Sequence, residues 1–476
     1  MPNNGTSQHT ASGPNVADPG HRTHGLKTRT PRDLPLEIVD LVFRHAADFQ
    51  DAKRTIMACA CVSRLWRELS IPHLFSSLKV VNLSDFDDFS AFLATHPDLA
   101  RHIRILTLAR PRRYRGMKLP IAEPVMGPNI SHSGLADIVA KVPKLRELRL
   151  DNIFIVNSPI DPTSPTTLLP PPNFRLRKLS MHSCRGRVGP VTILTLPTLF
   201  DALTVLPADV VHLSWLTLAC DAGDVTFDGI QLPTTRLPGE RLRISDLVLD
   251  RISSRSTSWP PHNTTRFYDL LRQALAPRCL RSFQAQRRMD LYSPYPESTF
   301  DKRNHDALRV LGDLLEYAGG RTLLHLSLPF SVGGIIQQPE GNPEHWRVLR
   351  LHKLENLESF CLSIHKPPGY LSHVTPHTPL STGCIAILTH VPTTLRTLTL
   401  VLPDITEESI QDRTGLNLQA LDAFCVARFP HLAKLEIVLS CGEAFERSSN
   451  AVIHAMHECN EQRKVEVRQW DQAWRM

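Results

Sequence analysis

The chain has 476 residues, 42% hydrophobic and 21% charged, and 54 Lys and Arg against 47 Asp and Glu give it a mild net charge of +7. That length is too great for one compact core, unless the chain is an elongated repeat whose core lengthens unit by unit. No uninterrupted apolar run of about 18 residues occurs, so no membrane span is expected; the most apolar region, 191–219, is cut by Pro197, Asp201, Pro207 and Asp209.

Residues 1–30 are polar and rich in Gly, Pro, Thr and Asn, without the apolar stretch of a secretory signal. They read as a disordered, dispensable lead-in to a cytoplasmic and/or nuclear protein. The ten cysteines follow no framework spacing, which in that setting means reduced and mostly buried thiols.

Residues 31–80 read as three short helices. Asp33 and Pro35 make a helix start, after which Ile38, Leu41 and Val42 share one face. A second helical run carries Ile56, Met57 and Cys59. Ser63 caps a third, with Leu65, Trp66 and Leu69 on one side until Pro72 stops it. Roughly 40 helical residues cannot build an adequate core of their own, so they are expected to dock on something else. Cys59 and Cys61 fit neither structural zinc, which wants four ligands and wider pair spacing, nor a C-x-x-C redox pair, and are expected to be helix packing.

From position 103 a motif repeats. L-x-x-L-x-L occurs as "LRELRL" (Leu145), "LRKLSM" (Leu176), "LSWLTL" (Leu213), "ISDLVL" (Ile244), "LLHLSL" (Leu323), "LRTLTL" (Leu395) and "LAKLEI" (Leu432). Weaker copies start at Ile103, Leu280 and Leu357. Before most of them stands a helical pattern and then a stop. Leu135, Ile138, Val139 and Val142 precede Pro143, and Gly319-Gly320 takes the role of the proline before Leu323. A helix and a short strand, repeated, bury their apolar faces by stacking on their neighbours. The fold class expected is therefore α/β: an N-terminal three-helix segment, then an irregular solenoid over 81–476 shaped as a horseshoe, with a parallel sheet on its inner face.

Little in the sequence suggests catalysis. The motifs of nucleophile elbows, zinc proteases, phosphate loops and dinucleotide folds are missing. His454, His457 and Cys459 have spacing that suits no metal class, so neither a metal nor a cofactor is expected. The basic run Arg110 to Lys118 reads as a solvated loop.

The repeats resemble the leucine-rich repeat family over about 85–470. That family places Asn or Cys three residues after the last motif leucine, and here Cys184 sits there while the neighbouring units carry Ile153 and Asp221. Residues 31–80 resemble the F-box, in a form like that of fungal F-box proteins. The match runs through Leu34, Pro35, Glu37 and Ile38, then Cys59, Val62, Ser63, Arg64 and Trp66, then His73, Leu74 and Phe75. The resemblance implies a non-catalytic substrate receptor of an SCF-type ubiquitin ligase, partnered by a Skp-type adaptor and a cullin. It implies an adaptor contact on Leu34, Pro35, Ile38, Leu41, Val42, Val62, Leu65 and Trp66. The repeats would then hold a protein client. Strand alternation turns Glu147, Arg149, Asp151, Lys178, Trp215 and Asp246 toward the inner curve, with hydroxyl residues such as Ser363 and Thr399 further on. Trp215 is the expected anchor unless a loop after Pro238 covers it. No continuous basic stripe lies on that face, so nucleic acid is not expected as a partner. The other reading is an F-box scaffold that works outside the ligase.

Overall fold

The computed structural model describes residues 35–47, 52–82, 84–111, 128–156, 174–186, 194–216, 218–219, 241–252, 261–286, 300–331, 343–365, 380–402, 416–439 and 445–469. Residues 1–30, Leu34, most of the Arg110 to Lys118 run and the stretch after Pro238 up to 240 lie outside them. The chain divides into two compact units, 1–73 and 74–476.

The first unit contains helices α1 (Leu36–Ala47) and α2 (Ala52–Ala60), and α3 (Arg64–Phe75) begins in it. Glu37 in the first turn of α1 and Arg44 and His45 in its last turn complement the helix dipole. Ser63 caps α3 as its position suggests, its hydroxyl accepting the Trp66 backbone N–H at 3.2 Å. Pro72 does not stop that helix. It lies inside α3 and removes one backbone donor, while His73 just beyond it is tied to Asp40 of α1 at 2.8 Å and the turn persists to Phe75. Val39, Phe43, Ile56 and Ala60 form the small core.

The second unit is α/β. Twelve strands pair in chain order, every pair parallel: β1 (Ser77–Val81), β2 (Ile105–Ala109), β3 (Glu147–Asp151), β4 (Leu176–His182), β5 (Ala208–Ser214), β6 (Asp246–Asp250), β7 (Ser282–Gln286), β8 (His325–Ser331), β9 (Ser359–His365), β10 (Thr397–Leu402), β11 (Lys434–Leu439) and β12 (Val465–Gln469). Because β1 already belongs to this sheet, the boundary falls at 73 rather than at 80. Helices return the chain between strands: α4 (Asp87–Thr95), α5 (His132–Lys141), α6 (Leu196–Val205), α7 (Pro261–Ala274), α8 (Phe300–Leu314), α9 (Leu380–Leu388), α10 (Leu418–Arg428) and α11 (Phe445–Ala455). Shorter turns of helix replace them before β9. Ser131, Thr195 and Asn417 cap α5, α6 and α10 through their side chains. Gly320, at φ +50, takes the left-handed turn after the Leu315–Gly319 π-helical turn that follows α8, where a side chain would be strained. Gly312 lets α8 approach the next unit, since a Cβ there would collide with the Val348 carbonyl oxygen.

The motif leucines stack into two fully buried rows. Leu106, Leu148, Leu179, Val211, Leu247, Phe283, Leu326, Phe360, Leu398 and Leu435 form one. Nine of the ten expected units fall on these rows. The tenth is displaced: the strand is Ala208–Ser214, so its motif begins at Ala208, five residues before "LSWLTL". That run mimics the pattern because Leu213 is the last buried leucine of the strand, Leu216 fills the turn and Leu218 starts a separate two-residue strand. The strands β1 and β12 add two units, with Leu78 and Val80 at the row positions of the first and Val465 and Val467 at those of the second.

After β3, β4, β5 and β6 the chain turns through a left-handed residue, Asn152, Ser183, Trp215 and Arg251. The first three donate their backbone N–H to the last strand residue of the next unit, at 2.8 to 2.9 Å. The residues that follow, Ile153, Cys184, Leu216 and Ile252, are all buried. Cys184 also donates its thiol to the Leu150 carbonyl at 3.3 Å. Leu216, not Asp221, is therefore the equivalent of Cys184 in the β5 unit.

Candidate functional site

Ten large hydrophobic side chains are exposed among the described residues, and seven of them lie on the helical unit. They are Leu36, Ile38, Leu41, Val42, Met57, Val62 and Leu65, between 44% and 61% accessible. The cause is visible in α1, which is apolar at six of the eight positions from Leu36 to Phe43. One face, Val39 and Phe43 at i and i+4, packs inward. The other, Ile38, Leu41 and Val42, keeps helical spacing but points away from it. Each such side chain is about half accessible, so a partner covering it would add about half of the ~1.5–3 kcal/mol of a full burial. A clustered apolar face of this kind marks an interaction surface.

Polar contacts hold that face in shape from beneath. Asp40 pairs with Arg44 at 2.6 Å and accepts from His73 at 2.8 Å, which ties α1 to α3. The His73 hydrogen bond, with Arg44 adding to it against the cost of burial, holds the Asp40 carboxyl below the usual carboxylate range. Trp66 is half-buried and packs edge-to-face on Phe43, with centroids 5.8 Å apart. It supports the face more than it forms it, because the ring fills the small core that two short helices leave open. Pro35 is exposed beside the stripe, its carbonyl accepting the Ile38 N–H at 3.0 Å. Leu34 lies outside the described residues. The structure adds Leu36 and Met57 to the exposed residues; for Leu36 the surplus of apolar residues in α1 was the available signal. Cys61 is exposed and Cys59 half-buried, so the expectation that both are packing fails for Cys61, which sits in the turn ahead of α3.

On the sheet, the expected client-facing residues sort into three rows. Glu147, Lys178 and Asp246 share one row through Val210. Arg149 stands in the next, beside Ser180 and His212, and Asp151 in the third, beside His182 and Ser214. Arg149 pairs with Glu147 of its own strand at 3.2 Å. Trp215 is not a strand residue. It occupies the left-handed turn after β5, 48% exposed, with the Arg251 guanidinium 3.9 Å from the ring centroid and His182 edge-on at 6.3 Å. Further along, the expected open face closes. Ser363, Thr399 and Glu436 are buried, and Glu436 is held by Thr399 at 3.1 Å and Arg468 at 2.8 Å.

One cavity of about 540 Å³ lies between α4 and α5 and holds Ser90, Asp137 and Lys141. Lys141 donates to Ser90 at 2.7 Å and to Asp137 at 2.6 Å, and Ser90 donates to Asp137. Burial pushes the Asp137 carboxyl up, but the Lys141 and Ser90 hydrogen bonds carry it below its ordinary value. An ionised Asp137 thus accepts a hydrogen bond from the Ser90 hydroxyl and engages the ammonium, an arrangement that ties two helices together. Burial also pushes the thiols of Cys184, Cys384 and Cys425 up to about 12. No group of three metal-ligating side chains forms among the described residues. No helix there is long and apolar enough to cross a membrane. No protein-family model matches the chain, and no curated protein matches it.

Proposed function

We propose that the chain is the substrate-recognition subunit of an SCF-type cullin-RING ubiquitin ligase. In this reading the helical unit is an F-box that docks on a Skp-type adaptor, and the second unit is an irregular leucine-rich-repeat horseshoe that holds a protein client in the cytoplasm and/or nucleus. The observation that carries the proposal is the outward stripe of Ile38, Leu41 and Val42, joined by Val62 and Leu65, on a unit too small to need it for its own core. The repeat reading is supported by the chain-order parallel ladder and by the Cys184 thiol bonded back to Leu150. The chain contributes no catalytic group. Its part is proximity, holding a client lysine near a ubiquitin-charged enzyme carried by other subunits.

The experiment is co-purification of the tagged chain with adaptor and cullin, beside an Ile38→Asp, Val42→Asp variant. Both changes place a charge at an exposed position, so folding is kept while docking would bury an unpaired carboxylate. Capture of adaptor and cullin by the wild type and its loss in the variant supports the proposal. Equal capture by both overturns the docking face, and adaptor without cullin points to a scaffold outside the ligase.

A further inference from the structure

The ladder ends on a strand with one open side. Among the described residues β12 pairs with β11 alone, so its other edge carries backbone groups with no strand beside them. The hydrogen-bond phase identifies those groups. Leu435 donates its N–H to the Lys464 carbonyl at 2.7 Å, and in a parallel ladder that phase turns the backbone of Glu466 and Arg468 toward β11. Val465, Val467 and Gln469 therefore direct their N–H and C=O groups outward. Val465 and Val467 also lack a neighbour on that side, and they are only partly buried, where Leu398 and Leu435 in the same row as Val465 are fully buried. An edge of this kind is a template for another strand.

The charges on β12 select that strand. Glu466 and Arg468 flank Val467 and share the face of the sheet opposite the core. Lys434 pairs with Glu466 at 2.9 Å and Arg468 with Glu436 at 2.8 Å, so the four groups form an ordered patch with no net charge. Directly across an antiparallel pair, opposite charges are favourable and like charges are not. The partner strand must therefore offer an arginine opposite Glu466 and a glutamate opposite Arg468. A second copy of β12, run antiparallel with Val467 facing Val467, offers both. The same alignment makes the two Val467 residues a hydrogen-bonded pair and sets Val465 against Gln469, so all three outward residues find partners. This contact is isologous and closes at two copies. Stacking β12 on β1 of another copy would continue the rows and set Glu466 beside Lys79, but it leaves Arg468 beside Val81 and does not close.

We infer that two copies of the chain pair edge to edge through β12, antiparallel about a two-fold axis at Val467. The inference does not rest on the function proposed above; in that reading it gives one assembly two adaptor-docking faces and two client faces.

The test uses the full chain and measures mass by sedimentation velocity across a concentration series. We expect a species of two chains that dissociates on dilution. Val467→Pro should weaken association at least tenfold, because the N–H it removes faces outward and belongs to the new pair, not to the ladder. Glu466→Lys and Arg468→Glu should each weaken it by a similar factor, since each sets like charges opposite one another across the axis. Mixed in equal amounts, these two charge variants should recover association, because in the mixed pair both crossings are again opposite in sign. Circular dichroism and thermal unfolding of the dilute variants check that each is folded. A wild type that stays at the mass of one chain at the highest concentration, an undiminished dimer in Val467→Pro, or no recovery on mixing would each overturn the inference. Masses that climb past two chains would overturn it as well and point to stacking on β1. Adaptor capture is read separately, so failure of the ligase reading leaves this result standing.

Discussion

The two units use leucine in opposite ways. In the ladder, Leu148, Leu179, Leu326 and Leu398 are fully buried in a row, each covered by the unit before and the unit after. In the helical unit, Leu36, Leu41 and Leu65 have no such neighbour within the unit and remain 44–48% exposed. The difference follows from stacking. A repeat covers its apolar residues with copies of itself, whereas a short helical segment has too little chain to wrap around two apolar faces and leaves one available.

Matched leucine substitutions test this contrast most directly. Leu179→Ala should cost about 2–5 kcal/mol, because its neighbours in the ladder cannot collapse into the space. Leu41→Ala should change stability by less than about 0.5 kcal/mol, yet reduce adaptor capture by at least tenfold. Chemical denaturation of both variants, with a pull-down, checks the pair. Equal destabilisation would place Leu41 in a core and erase the distinction.

Thiol chemistry sharpens the same comparison. Cys61 is exposed on the helical unit, while Cys184, Cys384 and Cys425 are buried in the ladder with their thiols raised to about 12. Iodoacetamide at neutral pH should label Cys61 in the native chain and leave those three untouched until the ladder is unfolded, as read by peptide mass spectrometry.

A smaller effect is expected from pH. The Asp40 carboxyl is depressed in the folded chain, so its bonds to His73 and Arg44 contribute fully above the ordinary carboxylate range, near about 4. That contribution fades as pH falls through the lowered value. Protection of α1 amides against hydrogen exchange, corrected for intrinsic rates, should drop between pH 6 and pH 3. Asp40→Asn should show the lowered protection already at pH 6 and a smaller further change. The ladder's amides serve as the control.

The smallest change belongs to Trp215→Ala. The ring is half-exposed in a turn and gains its contact mainly from Arg251, so thermal unfolding should shift by no more than about 1 kcal/mol equivalent. Adaptor capture should be unchanged, and client capture reduced. A large loss of stability would make the residue part of the turn's structure and move the client anchor elsewhere.

The sequence by itself determined the local units. Alternation at Leu148 and Leu150, helical spacing at Leu135, Ile138 and Val139, and stops such as Pro143 and Gly320 act over a few residues, and they located nine of ten repeat strands. Three things required the tertiary structure. The β5 register was settled by Val211 meeting Leu179 and Leu247, because spacing alone cannot separate a strand leucine from turn leucines at Leu216 and Leu218. Which stripe of α1 faced outward was decided by Phe43 meeting Trp66, since a helix apolar on two sides carries no label for either. The cleft at one edge of the sheet gathers residues from positions 175 to 281, which only the stacking of parallel strands brings together.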